Sequence, residues 1–390
     1  MSDLIGNPNG NDFFESVAQT IEQARRFVGR TADLTMCVTY FEIGRMIVEE
    51  EQSGNVRAEY GRKLLAGLSA FLNGRVGKGF SESTLRNTRK FYQTYSNSIQ
   101  QTMFAKLDDC DKTQAKQPFL SIFNKITESQ IQQTMLAELY PFRLSWSHYL
   151  ILMRVKNEDE RRFYELEAIK QQWTFRQLQR QYGSSLYERL ALSRDKDEVM
   201  RLAREGQKIE QPRDILKNPL VLEFLNMAED STYSETDLES AIISKLSQFL
   251  LELGKGFLFE ARQKRFTFEE KSFYVDIVFY NRLLQCYVLI DLKTDLIKHQ
   301  DLGQMLMYVN YFDRYVKTDK ESPTVGILLC KEKDDSIVEL TLPKDSNIYA
   351  SEYSLYLPDK VLLQRKLAEW IEEFEEAHGG AGEEIDAEDL

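Results

Sequence analysis

Two charged residues close an otherwise apolar run. In Cys286-Tyr-Val-Leu-Ile-Asp-Leu-Lys293 the only acid is Asp291 and the only cation Lys293. Residues two apart share one face of a strand, so both side chains point the same way. The preceding run, Phe273-Tyr-Val-Asp-Ile-Val-Phe-Tyr280, carries Asp276. Alternation puts Val275, Ile277 and Phe279 on one face, and Tyr274, Asp276, Val278 and Tyr280 on the other. In the right register Asp276 joins the other two. Two carboxylates and an ammonium at the end of a buried strand are costly without a purpose. A divalent ion, Mg²⁺ or Mn²⁺, supplies one: it is held by one or two carboxylates together with waters and phosphate oxygens. Such an ion lowers the pKa of bound water and neutralises charge on a phosphate. Lys293 would orient the attacking water or stabilise the transition state as a fixed cation.

The elements that must hold these residues are legible around them. Ser234-Glu-Thr-Asp opens a helix whose stripe is Leu238, Ile242, Leu246, Phe249, Leu250 and Leu253, ended by Gly254 and Gly256, with Glu239 and Glu252 upon it. Strands are expected at 257–263, 265–268, 273–280 and 286–293. A helix follows with Gln304 and Tyr308 on one face, then buried strand 324–330 and a further strand 348–355. Val361, Leu362, Trp370, Ile371 and Phe374 mark a last packing helix. The order αβββαβ with a mixed sheet is an α/β domain. An acid-x-Lys triplet alone is weak, and Glu269-Glu270-Lys271 is a chance match in a turn. Asp291-Leu292-Lys293 differs by context, although an ordinary salt bridge and a surface Gln304 are the bland readings.

The first half of the chain reads as helices. Phe13, Val17, Ile21, Ala24 and Val28 recur at helical spacing, Tyr40, Ile43, Met46 and Ile47 form a second helix, and both stripes read as ordinary core. An amphipathic helix begins at Ala58. Ser81 then caps a basic helix carrying Leu85, Arg86, Arg89, Lys90 and Tyr92. This is the outline of a helix-turn-helix. Arg57, Arg62, Lys63, Arg75, Lys78, Arg86, Arg89 and Lys90 face only Glu59 and Glu82 in this interval, which suits phosphate contacts as well as it suits a solvated face. Residues 96–119 read as a polar connector. A second helix-turn-helix-like unit follows Trp173, with Arg176 and Arg180 expected exposed and Trp146 and Trp173 expected in the core. Gln211-Pro and Asn218-Pro mark a boundary. The expected division is 1–220 helical, 221–377 α/β and 378–390 an acidic tail.

Composition bounds the function class. The chain of 390 residues is long enough for two or three domains. No apolar run reaches the length of a membrane span, and the N-terminus lacks the blocks of a signal peptide. Cys37, Cys110, Cys286 and Cys330 are scattered, which fits a reducing cytoplasm and no zinc site. The net charge of −12 opposes binding to nucleic acids, but ten acids and no Lys or Arg lie from Leu367 onward, which leaves −2 for the rest. That tail reads as solvated and disordered, with DNA mimicry or autoinhibition as the alternative.

Glu239, Asp276, Asp291, Lys293 and Gln304 follow the order of PD-(D/E)xK nucleases. More closely, the chain resembles the bacterial YhcG-type family, which joins a helical N-terminal domain of formerly unknown function to a restriction-endonuclease-like C-terminal domain. The resemblance runs from about residue 12 to 355. It rests on Glu59-Tyr-Gly, Gly79-Phe-Ser, Leu144-Ser-Trp-Ser-His-Tyr, Leu186-Tyr-Glu-Arg-Leu, Phe249-Leu-Leu-Glu-Leu-Gly-Lys-Gly-Phe, Tyr274-Val-Asp-Ile-Val-Phe-Tyr and Gly303-Gln. Val275 replaces the motif proline, and Asp291 stands where Glu is more usual. The resemblance implies a Mg²⁺-dependent DNA endonuclease. Asp276, Asp291 and Glu239 would be its metal residues, Lys293 and Gln304 would join them in catalysis, and Tyr308 would help position substrate. The basic helix adds Arg86, Arg89 and Lys90 as DNA contacts. DNA, a second copy of the chain, and proteins of a DNA-processing, recombination or defence system are the expected partners. The rival reading is a non-cleaving DNA-binding or assembly module on a nuclease fold.

Overall fold

The sequence holds no proline between Pro8 and Ser53, and one helix, α1 (Pro8–Ser53), runs through the whole interval. The two expected helices are therefore one. The structure is a computed structural model that describes residues 8–53, 58–106, 140–192, 196–227, 233–343, 346–357 and 359–365. The acidic tail, Cys110, Arg57, Trp370, Ile371 and Phe374 lie outside the described residues. Among the described residues the chain divides into two compact units, one within Met1–Arg161 and Ala168–Phe175, the other within Arg162–Glu167 and Arg176–Leu390.

In the first unit, α1 is followed by α2 (Ala58–Arg75) and α3 (Glu82–Lys106). Ser81 caps α3 as expected, accepting the Thr84 N–H on its Oγ at 3.2 Å. Residues 96–106, expected as connector, continue α3 instead, because Ile99 is buried on the apolar face of that helix. The second half of α1 packs on α3 through Cys37, Val38, Phe41 and Ile47. Gly44 makes the close approach: a Cβ there would lie 2.1 Å from the Thr88 carbonyl oxygen. A ring cluster of Phe41, Phe91, Tyr95, Phe142 and Tyr149 fills the space alongside, with Trp146 against Tyr40 and Phe91. Among the described residues the first half of α1 is left out of the core: Val17, Ile21, Phe27 and Val28 are exposed. Trp173 is buried, as expected of a core aromatic.

The second unit is built on a six-stranded mixed sheet. Its strands are β1 (Leu220–Val221), β2 (Phe257–Phe268), β3 (Lys271–Asn281), β4 (Cys286–Leu296), β5 (Val325–Glu332) and β6 (Ile348–Ser354), in the order β1-β6-β5-β4-β3-β2. The hairpins β2–β3 and β3–β4 are antiparallel, and β4 through β6 to β1 pair in parallel. Helices cover both faces, as parallel strands buried on both sides require. Against one face lie Leu238, Ile242, Phe249 and Leu253, from helices Glu235–Ser244 and Leu246–Leu253. Against the other lie Leu302, Met305, Tyr308 and Phe312, from helix His299–Tyr315. The single helix expected at 234–253 breaks at Lys245, whose backbone leaves helical geometry. The strands expected at 257–263 and 265–268 are one strand with a register shift between Phe259 and Ala261.

Arg180 departs from expectation in the same unit. It was expected exposed on a basic helix; it forms ion pairs at 2.8 Å with Glu223 and 3.1 Å with Glu252. Glu252 is the hub of this buried network. It takes Arg189 Nη1 at 2.6 Å and the Val221 N–H at 3.0 Å, while Lys217 donates to its main-chain carbonyl. Burial works to raise the Glu252 pKa, but Arg189, Lys217 and Arg180 together hold it at about 2. A surface arginine and a hub arginine have the same spacing in sequence, so this burial had no signal there. Among the described residues no helix is long and apolar enough to cross a membrane.

Candidate active site

The site forms where the β3–β4 ladder stops. The last bonded pair is Ile277 with Ile290, and one step beyond, the same register would set Asp276 opposite Asp291. Like charges directly opposite each other disfavour pairing. The ladder gives way there: Asp276 Oδ2 accepts the Leu292 N–H at 2.8 Å in place of a strand partner. Alternation breaks at the same point. Val275, expected on the face of Ile277, packs instead with Val278 against the helix His299–Tyr315 layer.

Asp291 is buried, at 3% exposure, and its Oδ2 pairs with Lys293 Nζ at 2.8 Å. Burial pushes its pKa up to about 7; the Asp276 charge adds to the rise and Lys293 opposes it. Burial works to lower the Lys293 pKa, but Asp291 and Glu235 hold that ammonium above the usual lysine range. Glu235, 3.3 Å from Lys293 Nζ, was not foreseen. The signal existed, since Glu235 lies four residues before Glu239 on one helix face.

Glu239 is buried but does not stand beside the two aspartates as a third ligand. Its carboxylate takes Arg262 Nε on one oxygen and Gln263 Nε2 on the other at 2.5 Å. Gln263 also donates to Asp276 Oδ1 at 2.9 Å, so Glu239 reaches the aspartate through it. Among the described residues no group of three or more acids, histidines or cysteines gathers at metal-ligating distance. Gln263 adopts φ +46° within β2, a left-handed conformation that costs a non-glycine residue about 1–3 kcal/mol and persists where surroundings over-determine it. Nothing in its residue type announced this role.

Gln304 and Tyr308 sit one turn apart on helix His299–Tyr315, and the Gln304 amide donates to the Tyr308 hydroxyl. Burial raises the Tyr308 pKa, and the charges of Asp291 and Asp276 add to the rise. The structure thus brings Asp276, Asp291, Lys293, Gln304 and Tyr308 to one sheet end, with Glu239 joined through Gln263. The basic helix lies in the other unit. Arg86 and Lys90 are exposed, and Arg86 pairs with Glu82 at 3.4 Å. Arg89 is held at 2.7 Å by Glu51 of α1.

Comparisons with known proteins cover most of the chain. Residues 213–368 match the YhcG PDDEXK nuclease domain, and residues 16–189 match the DUF1016 N-terminal domain. The "Putative nuclease YhcG" of Escherichia coli (strain K12) is 37% identical over 355 residues, which is 90% of this chain and 92% of that protein. A repair endonuclease from Pyrococcus abyssi aligns over 34% of this chain and 50% of its own, at 18% identity and a TM-score of 0.22. With both regions matched in order and a relative this similar along nearly its whole length, the chain belongs to the YhcG family, which couples a DUF1016 N-terminal domain to a PDDEXK nuclease domain.

Proposed function

We propose that this protein is a divalent-metal-dependent DNA endonuclease whose metal, Mg²⁺ or Mn²⁺, is held by Asp276 and Asp291 with the Leu292 carbonyl. The observation that carries this reading is the Asp291 carboxylate. It is buried, close to a second acid, and paired at 2.8 Å with a single ammonium, that of Lys293. Hard oxygen donors in that number fit an ion that keeps several waters and binds substrate phosphate. When bound, the ion would lower the pKa of a water and neutralise phosphate charge. Lys293, steadied between Asp291 and Glu235, presents a fixed cation to the attacking water or the phosphoryl oxygens. Glu239 acts as a positioning residue: it fixes Gln263, which fixes Asp276 Oδ1. Gln304 and Tyr308 offer an amide and a hydroxyl to the substrate backbone.

DNA recruitment falls to the N-terminal unit in this reading. Its α2, residues 76–81 and α3 form the helix-turn-helix element, and Arg86 and Lys90 make phosphate contacts. Arg89, tied to Glu51, contributes mainly by holding α3 on α1. Such contacts give salt-dependent affinity and little sequence choice. The setting would be bacterial DNA processing, recombination or defence.

The test is cleavage of duplex, nicked and branched DNA by the full chain in Mg²⁺, Mn²⁺ or EDTA. Cleavage should require metal and be lost in Asp276→Ala, Asp291→Ala and Lys293→Ala; cleavage that survives these changes overturns the assignment. Tight DNA binding with no divalent-ion binding by calorimetry would instead favour the non-cleaving platform. Anisotropy against salt for Arg86→Ala/Lys90→Ala should show weaker binding on all sequences and a flatter salt slope, and unchanged binding removes this helix from the DNA interface.

A further inference from the structure

Beside the carboxylates lies a cavity of about 360 Å³ that the proposed reaction does not use. Its volume falls within the range of about 300–1,000 Å³ of small-molecule sites. Two elements that flank the candidate active site, β2 with Gln263 and helix His299–Tyr315 with Gln304, also build this cavity. Strand β2 passes from Gln263 to Phe266 and Phe268, about 10–17 Å at 3.3 Å per residue. Helix His299–Tyr315 passes from Gln304 to Asn310, about 9 Å at 1.5 Å per residue.

Rings dominate its walls. Phe266 stacks on Tyr311 at 4.1 Å and 22°, and meets Tyr308 edge-on at 5.5 Å, so one ring wall separates the cavity from the active site. At the rim Phe268 and Tyr315 are both exposed, with ring centroids 6.3 Å apart. A base held between two parallel rings takes about 6.8 Å, twice the stacking rise of about 3.4 Å, so these rings, tilted by 37°, admit one by parting slightly and turning parallel. Asn310 and Arg314 line the same cavity, are exposed, and make no hydrogen bond or ion pair among the described residues. A carboxamide can address a base edge and a guanidinium a phosphate or a ring face.

We infer that this cavity receives an unpaired nucleobase of the strand being cut, some three nucleotides from the scissile phosphate. This rests on the nuclease reading above and narrows its substrate to DNA with single-stranded character near the cut, such as forks, flaps or gaps. A paired base inside a duplex cannot reach such a cleft without leaving the stack. Stacking on aromatic side chains is tolerant of base identity, so the cavity would select unpaired structure rather than sequence.

The experiment uses the full chain carrying Asp291→Ala and forked oligonucleotides with 2-aminopurine at positions two to five from the junction. Stacking should quench the fluorescence at one of these positions. Adding Phe268→Ala/Tyr315→Ala should abolish the quenching and weaken binding of forked DNA roughly 5- to 150-fold, a larger loss than for blunt duplex. Tyr315→Phe, which keeps the ring, should retain both. No quenching at any position, or quenching and forked-to-blunt preference unchanged in the double variant, overturns the inference. Cleavage of the same oligonucleotides by the wild-type chain reports separately on the nuclease reading: cleavage without quenching leaves that reading standing and removes only the base pocket.

Discussion

Asp291→Asn tests the electrostatic core of the site without needing activity. Folding pushes the Asp291 pKa from the ordinary 3.8 up to about 7, which is worth about 4 kcal/mol at about 1.36 kcal/mol per pH unit. The sign follows from which state holds the proton. Below about pH 4 the carboxyl is neutral in both states and carries no ionisation penalty. Between about pH 4 and pH 7 the unfolded chain ionises while the folded one keeps its proton, so wild-type stability falls; above about pH 7 the penalty is complete. Asparagine stays neutral throughout. The stability of the variant relative to wild type should therefore rise by about 3 kcal/mol from pH 4.5 to pH 8 and then level off. Lys293 loses a partner and keeps only Glu235, which subtracts an offset but leaves this slope in place. The assay is urea unfolding of both proteins in EDTA across that range. A difference that stays flat with pH refutes the argument, because Asp291 would then ionise in the fold as easily as in water. Adding Mg²⁺ at pH 8 should restore stability to wild type alone, by about 2.7 kcal/mol at a hundredfold excess over Kd.

Two further expectations concern parts of the fold away from the site. Gly44→Ala would push a methyl to 2.1 Å from the Thr88 carbonyl oxygen and force α1 from α3, at about 1–3 kcal/mol or more. Gly67→Ala, mid-helix with nothing within 4 Å, should instead stabilise the fold by about 0.5–1 kcal/mol in urea unfolding, and equal effects of the two would deny the helix contact. Glu252→Gln leaves Arg180, Arg189 and Lys217 without their shared counter-charge and should cost about 3–5 kcal/mol in urea unfolding near pH 7. Because the folded Glu252 pKa is lowered to about 2, its contribution is present above about pH 4.5 and disappears as pH falls towards 2, so variant and wild type should converge in acid.

Strands β3, β4 and β5 and the Asp276–Asp291–Lys293 constellation were legible because each rests on local alternation and on where an apolar run stops; β1 and the continuity of β2 were not. Long-range balances were not. The sheet could be read from β4, but the end of its ladder at Ile277–Ile290 follows from repulsion between residues fifteen apart in sequence. Glu239 had the right position and the wrong neighbours: Arg262 and Gln263 claim it, and no pattern in β2 marks either one. Arg89 and Arg180 show the same limit for cations. Both read as solvent-facing by spacing, and both are committed to glutamates distant in the chain. Apolar spacing misled in the opposite sense in α1, where Val17, Ile21 and Val28 form a proper stripe that the described residues leave exposed.

The charge balance at the sheet end is a second argument for the proposed divalent partner. Glu235, Glu239, Asp276 and Asp291 bring four carboxylates; Arg262 and Lys293 bring two cations. With all four acids ionised the cluster stands at −2, and Asp291 relieves part of that by keeping its proton to about pH 7. A proton is the wrong answer for catalysis, since it removes the oxygen donors a phosphate-bound cation needs. One divalent ion gives the same relief and keeps both aspartates charged. In the proposed metal site proton and metal would compete for Asp291, and affinity for Mg²⁺ should weaken by about tenfold for each pH unit below about 7. Calorimetric titration of the metal-free chain between pH 5.5 and pH 8 measures this directly. Equal affinity across that range would mean that Asp291 is not the ligand, and that the ion sits elsewhere on the protein.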